Sequence, residues 1–285
     1  MKAAIITPIE YLDTTRDREF HLLLTHLLDP LIDVGGEYRQ FYQDLRRSNL
    51  DTFMILDNSA HENTVGESIQ KVLALGQSLA VNEIVIPDHL FNSVETLARA
   101  KDAFEYLLSK GGSSLYFSFR PRLMVVPQGK SRKDYDRCSF NLSTLIREFR
   151  KEFREKYRWS PTITFGVSKD YEIWDGGLYR VLAKTIIPAA TSFEADIHIL
   201  GWGRDLWAHR TIAEDFGDLI RSTDSARPFV YGYNNIYLNS HYIDIPEYPG
   251  RSKTYFRDEF STPQLQASLH NVAVFDATVK GEVVV

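Results

Sequence analysis

Six short runs, rich in apolar and β-branched residues, recur along the chain, and each ends at or beside a polar residue or a glycine. They read FMILDN (53–58), EIVIPD (83–88), LMVVPQG (123–129), TITFGV (162–167), DIHILG (196–201) and DLIRSTD (218–224). Near-continuous apolar stretches such as FMIL, IVI and LMVV fit strands buried on both faces, as in a parallel sheet covered by helices. AAIITP (3–8) has the same character and predicts an opening strand. Helix-length amphipathic segments fill the gaps: 16–31, 35–48, 67–79, 92–110, 134–153, 178–190 and 205–217. Asn92 with Glu95 three residues on resembles a capping box, and Gly111-Gly112 is expected to end that helix. The order is β then α seven times. A TIM-type (β/α)8 barrel follows, with the eighth unit unassigned. Residues 229–262 are aromatic and irregular and predict a long loop or insertion at the barrel mouth, before a closing helix at 263–281. With no linker in view, residues 1–285 are expected to form a single domain.

In such a barrel the C-terminal strand ends carry the chemistry. Those ends hold Asp57, Asp88, Gln128, Gly166 and Asp224. Two carboxylates from distant strands can serve glycosidic chemistry, one at the anomeric carbon and one handling protons. Any single aspartate here could equally cap the next helix, so the argument rests on the set.

Composition narrows the class. At 285 residues, 44% hydrophobic and 25% charged, the chain has the make-up of a soluble globular protein. It offers no bilayer-length apolar stretch and no signal-peptide pattern at its start, so a cytoplasmic protein without membrane contact is expected. The one cysteine, Cys138, excludes an internal disulfide and a Cys-rich zinc site, and its helical context predicts an inert thiol. No metal or nucleotide cofactor is expected, for want of ligand spacing or a Gly-rich phosphate loop. The net charge of −5 counts against tight nucleic-acid binding, but basic residues cluster locally. The loop with Lys130, Arg132 and Lys133 is the better phosphate candidate. The stretch 147–158, six basic residues against three acidic, reads as a solvated helix face. Lys169 could meet a phosphate or a base substituent, or simply be solvated. Trp202, Trp207, Tyr231 and Tyr233 suit either stacking on an extruded base or ordinary packing beneath the long loop.

The series LDNSAHE, IVIPD, VVPQG, FGVS, IHILGWG and RSTDS, in that order and spacing, resembles the tRNA-guanine transglycosylase superfamily. It is most similar to the compact branch found in phage and bacterial DNA-deazaguanine modification systems. The resemblance spans roughly residues 50–232. It implies that Asp224 is a nucleophile that forms a covalent glycosyl ester, and that Asp57 is the general acid/base. It further implies that Asp88 accepts hydrogen bonds from the base, with Gln128 and the Gly166 N–H donating to its carbonyl. Asn58, Val167 and His198 complete the implied substrate-binding set; for His198 a core or site-wall role is favoured over metal ligation. Arg227 joins Lys130, Arg132 and Lys133 as an expected nucleic-acid contact.

The implied reaction exchanges guanine in DNA for a 7-deazaguanine base such as preQ0. Departures from the family pattern bear on the substrate. The Cys₃His zinc site of tRNA-acting members is impossible here, and the chain is shorter than theirs, which favours DNA over tRNA. Asn58-Ser59-Ala60 stands where Ser-Gly-Gly is usual, with His61-Glu62 following. Ala226-Arg227-Pro228 echoes the family's Pro-Thr-Arg only loosely. A zinc-free RNA transglycosylase, a nucleoside hydrolase using the same carboxylates and a noncatalytic barrel remain as alternatives. The oligomeric state is left open.

Overall fold

The computed structural model describes residues 1–29, 36–174, 176–201, 206–239 and 255–282; the side chains of 110–111, 172–173 and 206–208 fall outside that description. The strands are β1 (Lys2–Ile5), β2 (Phe20–Leu24), β3 (Phe53–Asp57), β4 (Glu83–Val85), β5 (Arg122–Val125), β6 (Ile163–Ser168), β7 (Asp196–Leu200) and β8 (Ser222–Ser225). Between them run α1 (Glu37–Ser48), α2 (Ala60–Asn63), α3 (Ile69–Leu79), α4 (Ser93–Leu108), α5 (Lys110–Phe119) and α6 (Arg132–Tyr157). There follow α7 (Gly177–Val181), α8 (Ile187–Phe193), α9 (Leu206–Phe216), α10 (Arg227–Tyr233) and α11 (Thr262–Val279). The strands form one eight-stranded sheet in the order β1-β8-β7-β6-β5-β4-β3-β2. This is the expected TIM-type (β/α)8 barrel.

Two compact units make up the chain: Met1–Leu22, Ser168–Glu172 and His198–Val285 form one, and Leu23–Val167 with Ile173–Ile197 the other. In the larger unit β3, β4, β5 and β6 pair in parallel, with Ile55 opposite Glu83, Val85 opposite Met124 and Val125 opposite Phe165. Met54, Ile55, Leu56, Ile84, Leu123 and Phe165 are fully buried there, which accounts for the unbroken apolar runs. In the smaller unit β8 pairs with β1 and with β7, and α10 packs on α11.

Several expectations need correction. The segment 16–31 is not a helix: Phe20–Leu24 is strand β2, buried at every position, followed by a 3₁₀ turn at Thr25–Leu28. A short apolar run lacks the periodicity to separate a buried strand from a buried helix, and this strand supplies the unit that the sequence left unassigned. Residues 30–31 of that expected helix lie outside the described residues. Strand β8 starts at Ser222, four residues later than its run suggested. Gly111-Gly112 does not terminate a helical stretch. Helix α4 ends at Leu108, and Ser109 caps α5, its Oγ accepting from the Gly112 N–H at 3.1 Å. Gly112 is needed for close approach rather than for positive φ, since a Cβ there would lie 2.0 Å from the Tyr106 carbonyl oxygen. Asn92 does cap α4, accepting from the Glu95 N–H at 3.2 Å, but the Glu95 carboxylate turns to Arg99 instead of closing the box. The expected loop at 229–262 begins as helix α10; residues 240–254 lie outside the described residues.

One buried charge network joins the strand starts of the larger unit. Glu83 on β4 is fully buried, accepts from Thr164 Oγ1 at 3.2 Å, and lies 3.7 Å from Arg122 Nε; Arg122 also binds Asp196. Removing the cation strands a buried carboxylate, so Arg122→Met is expected to cost about 3–5 kcal/mol in denaturant unfolding. A loss below about 1 kcal/mol, the level of an exposed pair, would contradict this account.

Candidate active site

In the larger unit, the ends of β3, β4 and β5 build a hydrogen-bonded cluster around Asp88. Its carboxylate is nearly inaccessible, at 4% exposure. Asn58 Nδ2 donates to one oxygen at 2.7 Å, and Gln128 Nε2 donates to the other at 2.6 Å. Both amides are themselves fixed. Asn58 also donates to the Ile86 carbonyl and accepts from the Ala60 N–H, each at 2.9 Å. Gln128 Oε1 accepts from the Phe91 N–H at 3.2 Å. Burial pushes the Asp88 carboxyl up to about 6, against the hydrogen bonds from Asn58 and Gln128, which pull it down. A carboxylate held planar by two amides, with one donor on each oxygen, retains lone pairs for a ligand that offers adjacent N–H groups.

Sequence reasoning missed Gly66. Its N–H donates to the Asp88 carbonyl at 2.9 Å, and a Cβ on it would come 2.8 Å from Asn58 Cγ. Gly66→Ala is therefore expected to displace the Asn58 amide from Asp88 and cost about 1–3 kcal/mol of stability, the cost of a buried group left without its hydrogen bond. Denaturant unfolding would measure this; unchanged stability would show that Asn58 does not matter to the cluster.

Asp57, half-buried at the end of β3, accepts from the Ser59 N–H at 2.8 Å, and its carbonyl accepts from Thr25 Oγ1. Ser59 holds a left-handed backbone, φ 57°, an unusual conformation for a side chain with Cβ. Its Oγ accepts from the His26 N–H at 3.0 Å and lies 3.0 Å from His26 Nδ1. Glu62 approaches both His26 and His61, at 3.9 and 3.8 Å. The Ser59-Ala60-His61-Glu62 departure is thus tied to His26, a residue no sequence motif had marked. Gly166 and Val167 are both buried in β6. Lys130 and Lys133 are exposed, whereas Arg132 is spent on Asp136 at 2.8 Å and Thr185 at 2.7 Å.

In the smaller unit, Asp224 on β8 is 3% exposed. Its Oδ1 lies 3.0 Å from His198 Nε2 and accepts from the Gly201 N–H at 3.2 Å. Oδ2 has no hydrogen-bond partner among the described residues. His198 is buried on β7 with its Nδ1 2.8 Å from Ser222 Oγ, so both ring nitrogens are engaged within the protein. Arg227 opens helix α10, its N–H bonded to Ser225 Oγ at 3.1 Å. Lys169 Nζ pairs with Asp170 at 2.7 Å, and its stem lies against Gly201. Tyr231 is fully buried, and Tyr233 packs on Tyr255 and Phe260 at centroid distances of 6.1 and 5.2 Å. Trp202 and the Trp207 side chain lie outside the described residues. In α6 of the larger unit, Cys138 is buried, and burial pushes its thiol up to about 11, well away from nucleophilic reactivity.

No protein-family model matches the chain, and no curated protein matches it in sequence. Among solved structures, an Aquifex aeolicus VF5 protein is similar at 7% identity over 98% of this chain and 90% of that one, with a TM-score of 0.47. The carboxyl transferase domain of Rhizobium etli pyruvate carboxylase is similar at 9% identity and a TM-score of 0.49 with 3-bromopyruvate, and at 8% and 0.48 with pyruvate. The chain spans less than half the length of those carboxyl transferase chains, 44% and 48%. Likenesses this distant say nothing of chemistry, and none of these structures is named as a transglycosylase. No helix among the described residues is long and apolar enough to cross a membrane.

Proposed function

We propose that the protein is a base-exchange transglycosylase that replaces guanine in DNA with a 7-deazaguanine base such as preQ0. The observation that carries this reading is a pair of buried aspartates prepared for different tasks. Asp88 is clamped between two amides as an acceptor, while Asp224 has one oxygen anchored and the other without a partner among the described residues. A guanine edge offers adjacent donors at N1 and N2, which suit the acceptor. An anchored carboxylate with one oxygen left over suits attack on a sugar carbon.

In the proposed reaction Asp224 Oδ2 attacks C1′. The C1′–N9 bond breaks, its electron pair leaves with guanine, and guanine takes a proton from Asp57. The sugar is then held as an aspartyl ester. The incoming deazaguanine gives its N9 proton to Asp57 and attacks C1′, and the C1′–Oδ2 bond breaks to restore the carboxylate. Two displacements at one carbon retain the configuration. The target nucleotide has to leave the helical stack before C1′ is reachable. The exposed Lys130 and Lys133 are the proposed phosphate contacts.

Incorporation of labelled preQ0 into duplex DNA, run beside tRNA, tests the reading. Label entering DNA in a guanine-dependent manner supports it. Label entering tRNA alone favours the RNA enzyme, and guanine release without any incoming base favours a hydrolase.

A further inference from the structure

The resemblance would have His198 touch substrate, but both its nitrogens are already engaged. The ring is fully buried between Ser222 Oγ and Asp224 Oδ1. Strand register sets this arrangement: His198 of β7 lies opposite Ser222 of β8, and Asp224 is two residues further along β8, on the same face. Thr223, on the other face, ties the two strands through Oγ1 to the Ile199 carbonyl at 2.9 Å.

The chain of contacts has a direction. Arg221 Nε donates to Ser222 Oγ at 3.2 Å, and an arginine can only donate. At the other end the Asp224 carboxylate can only accept, so the neutral imidazole carries its proton on Nε2 and its Nδ1 accepts the Ser222 hydroxyl hydrogen. This assignment gives each ring nitrogen of His198 a partner and leaves Asp224 Oδ2 outside the relay. It holds the residue types of a hydrolytic Ser-His-Asp triad, with the donors running the same way and the two ring nitrogens exchanged. Ser222 is fully buried, so the serine cannot be the nucleophile, and the reacting end is the aspartate.

We propose that His198, backed by Ser222 and Arg221, is a positioning residue that acts through Asp224. It fixes Oδ1 and so makes Oδ2 the attacking oxygen. This rests on the reading of Asp224 as nucleophile. The same contact favours one step over the other. When the ester forms at Oδ2, Oδ1 becomes its carbonyl oxygen. Negative charge returns to the carboxylate as the C1′–Oδ2 bond breaks, and the His198 and Gly201 donors stabilise that charge. Loss of His198 should therefore slow release of the sugar to the incoming base and let the ester accumulate.

The test compares His198→Phe, His198→Gln and Ser222→Ala with the unaltered protein, using guanine-containing DNA and labelled preQ0. The Phe variant should lose about a hundredfold in kcat with KM for the base changed less than about threefold, the effect of removing one preorganised donor. It should also carry more covalent ester at steady state. Gln, which can accept from Ser222 and donate to Asp224, should recover most of the rate. Ser222→Ala spares the ring and should shift kcat the same way by a smaller factor, which decides the matter if the Phe variant does not fold. Unchanged kcat in both Phe and Ala variants, or a rise confined to KM, would overturn the proposal. If the unaltered protein forms no ester, the transglycosylase reading itself fails, a result distinct from unaffected His198 variants.

Discussion

Asp224→Asn should abolish base exchange, with a loss of about 10⁴-fold or more in kcat, because an amide cannot form the glycosyl ester. Asparagine is chosen because its carbonyl oxygen can still accept from His198 Nε2 and the Gly201 N–H, the two contacts that hold Oδ1. The variant is therefore expected to fold, with a melting temperature close to that of the unaltered protein, and to bind DNA and free base as before. Activity lost together with folding would point instead to a structural aspartate capping the start of α10. Activity retained would remove the nucleophile from the mechanism.

The second large effect falls on Asp88. Asp88→Asn should weaken binding of guanine or preQ0 by about 100-fold, since hydrogen bonds to a charged group contribute about 1.5–3 kcal/mol each and this carboxylate is proposed to receive two. Stability is the balance of two opposing effects, because the asparagine NH2 cannot accept from Asn58 or Gln128 and one contact is lost, while the cost of burying a charge disappears. A buried carboxyl raised from 3.8 to about 6 favours the folded state below the ordinary carboxylate range and disfavours it as pH rises through 6. At neutral pH that penalty is on the order of 3 kcal/mol, which the neutral amide does not carry. Wild-type affinity for the base should fall about fivefold between pH 6 and pH 5 as the acceptor takes up a proton, and the asparagine variant should show no such dependence. Calorimetric titration across that pH range measures both. An Asp88 serving only as a helix cap would show the opposite pattern, destabilised by the substitution and indifferent to the base.

The sequence carried the barrel because strands buried on both faces of a parallel sheet are rich in apolar residues, as in β3 and β5, whereas β8, Ser-Thr-Asp-Ser, was located only by the apolar residues just before it. Phe20–Leu24 escaped because its apolar residues, continued by Leu27 and Leu28, fit one face of a buried helix as well as a buried strand. Gly111-Gly112 misled for a different reason: glycine marks both free φ and tight contact, and only the neighbouring Tyr106 carbonyl shows which applies. At the candidate site the strand-end residues could be located by position, but their partnerships could not. That Asn58 and Gln128 would each donate to Asp88 depends on three strands lying in register, and Gly66 matters only through the side chain it makes room for. The resemblance implied a substrate contact for His198 beside a core or site-wall role; its contact with Asp224 depends on the register of β7 on β8. His26 had no motif at all, and its link to Ser59 emerges only from the fold.

Trapping the intermediate reaches the core of this account. The protein is incubated with guanine-containing duplex DNA in the absence of incoming base, quenched under denaturing conditions, digested and mapped by mass spectrometry. The predicted result is a DNA-linked peptide containing residue 224, absent from Asp224→Asn and chased by preQ0. Free guanine accumulating with no protein–DNA linkage, or a linkage on any other residue, would contradict it.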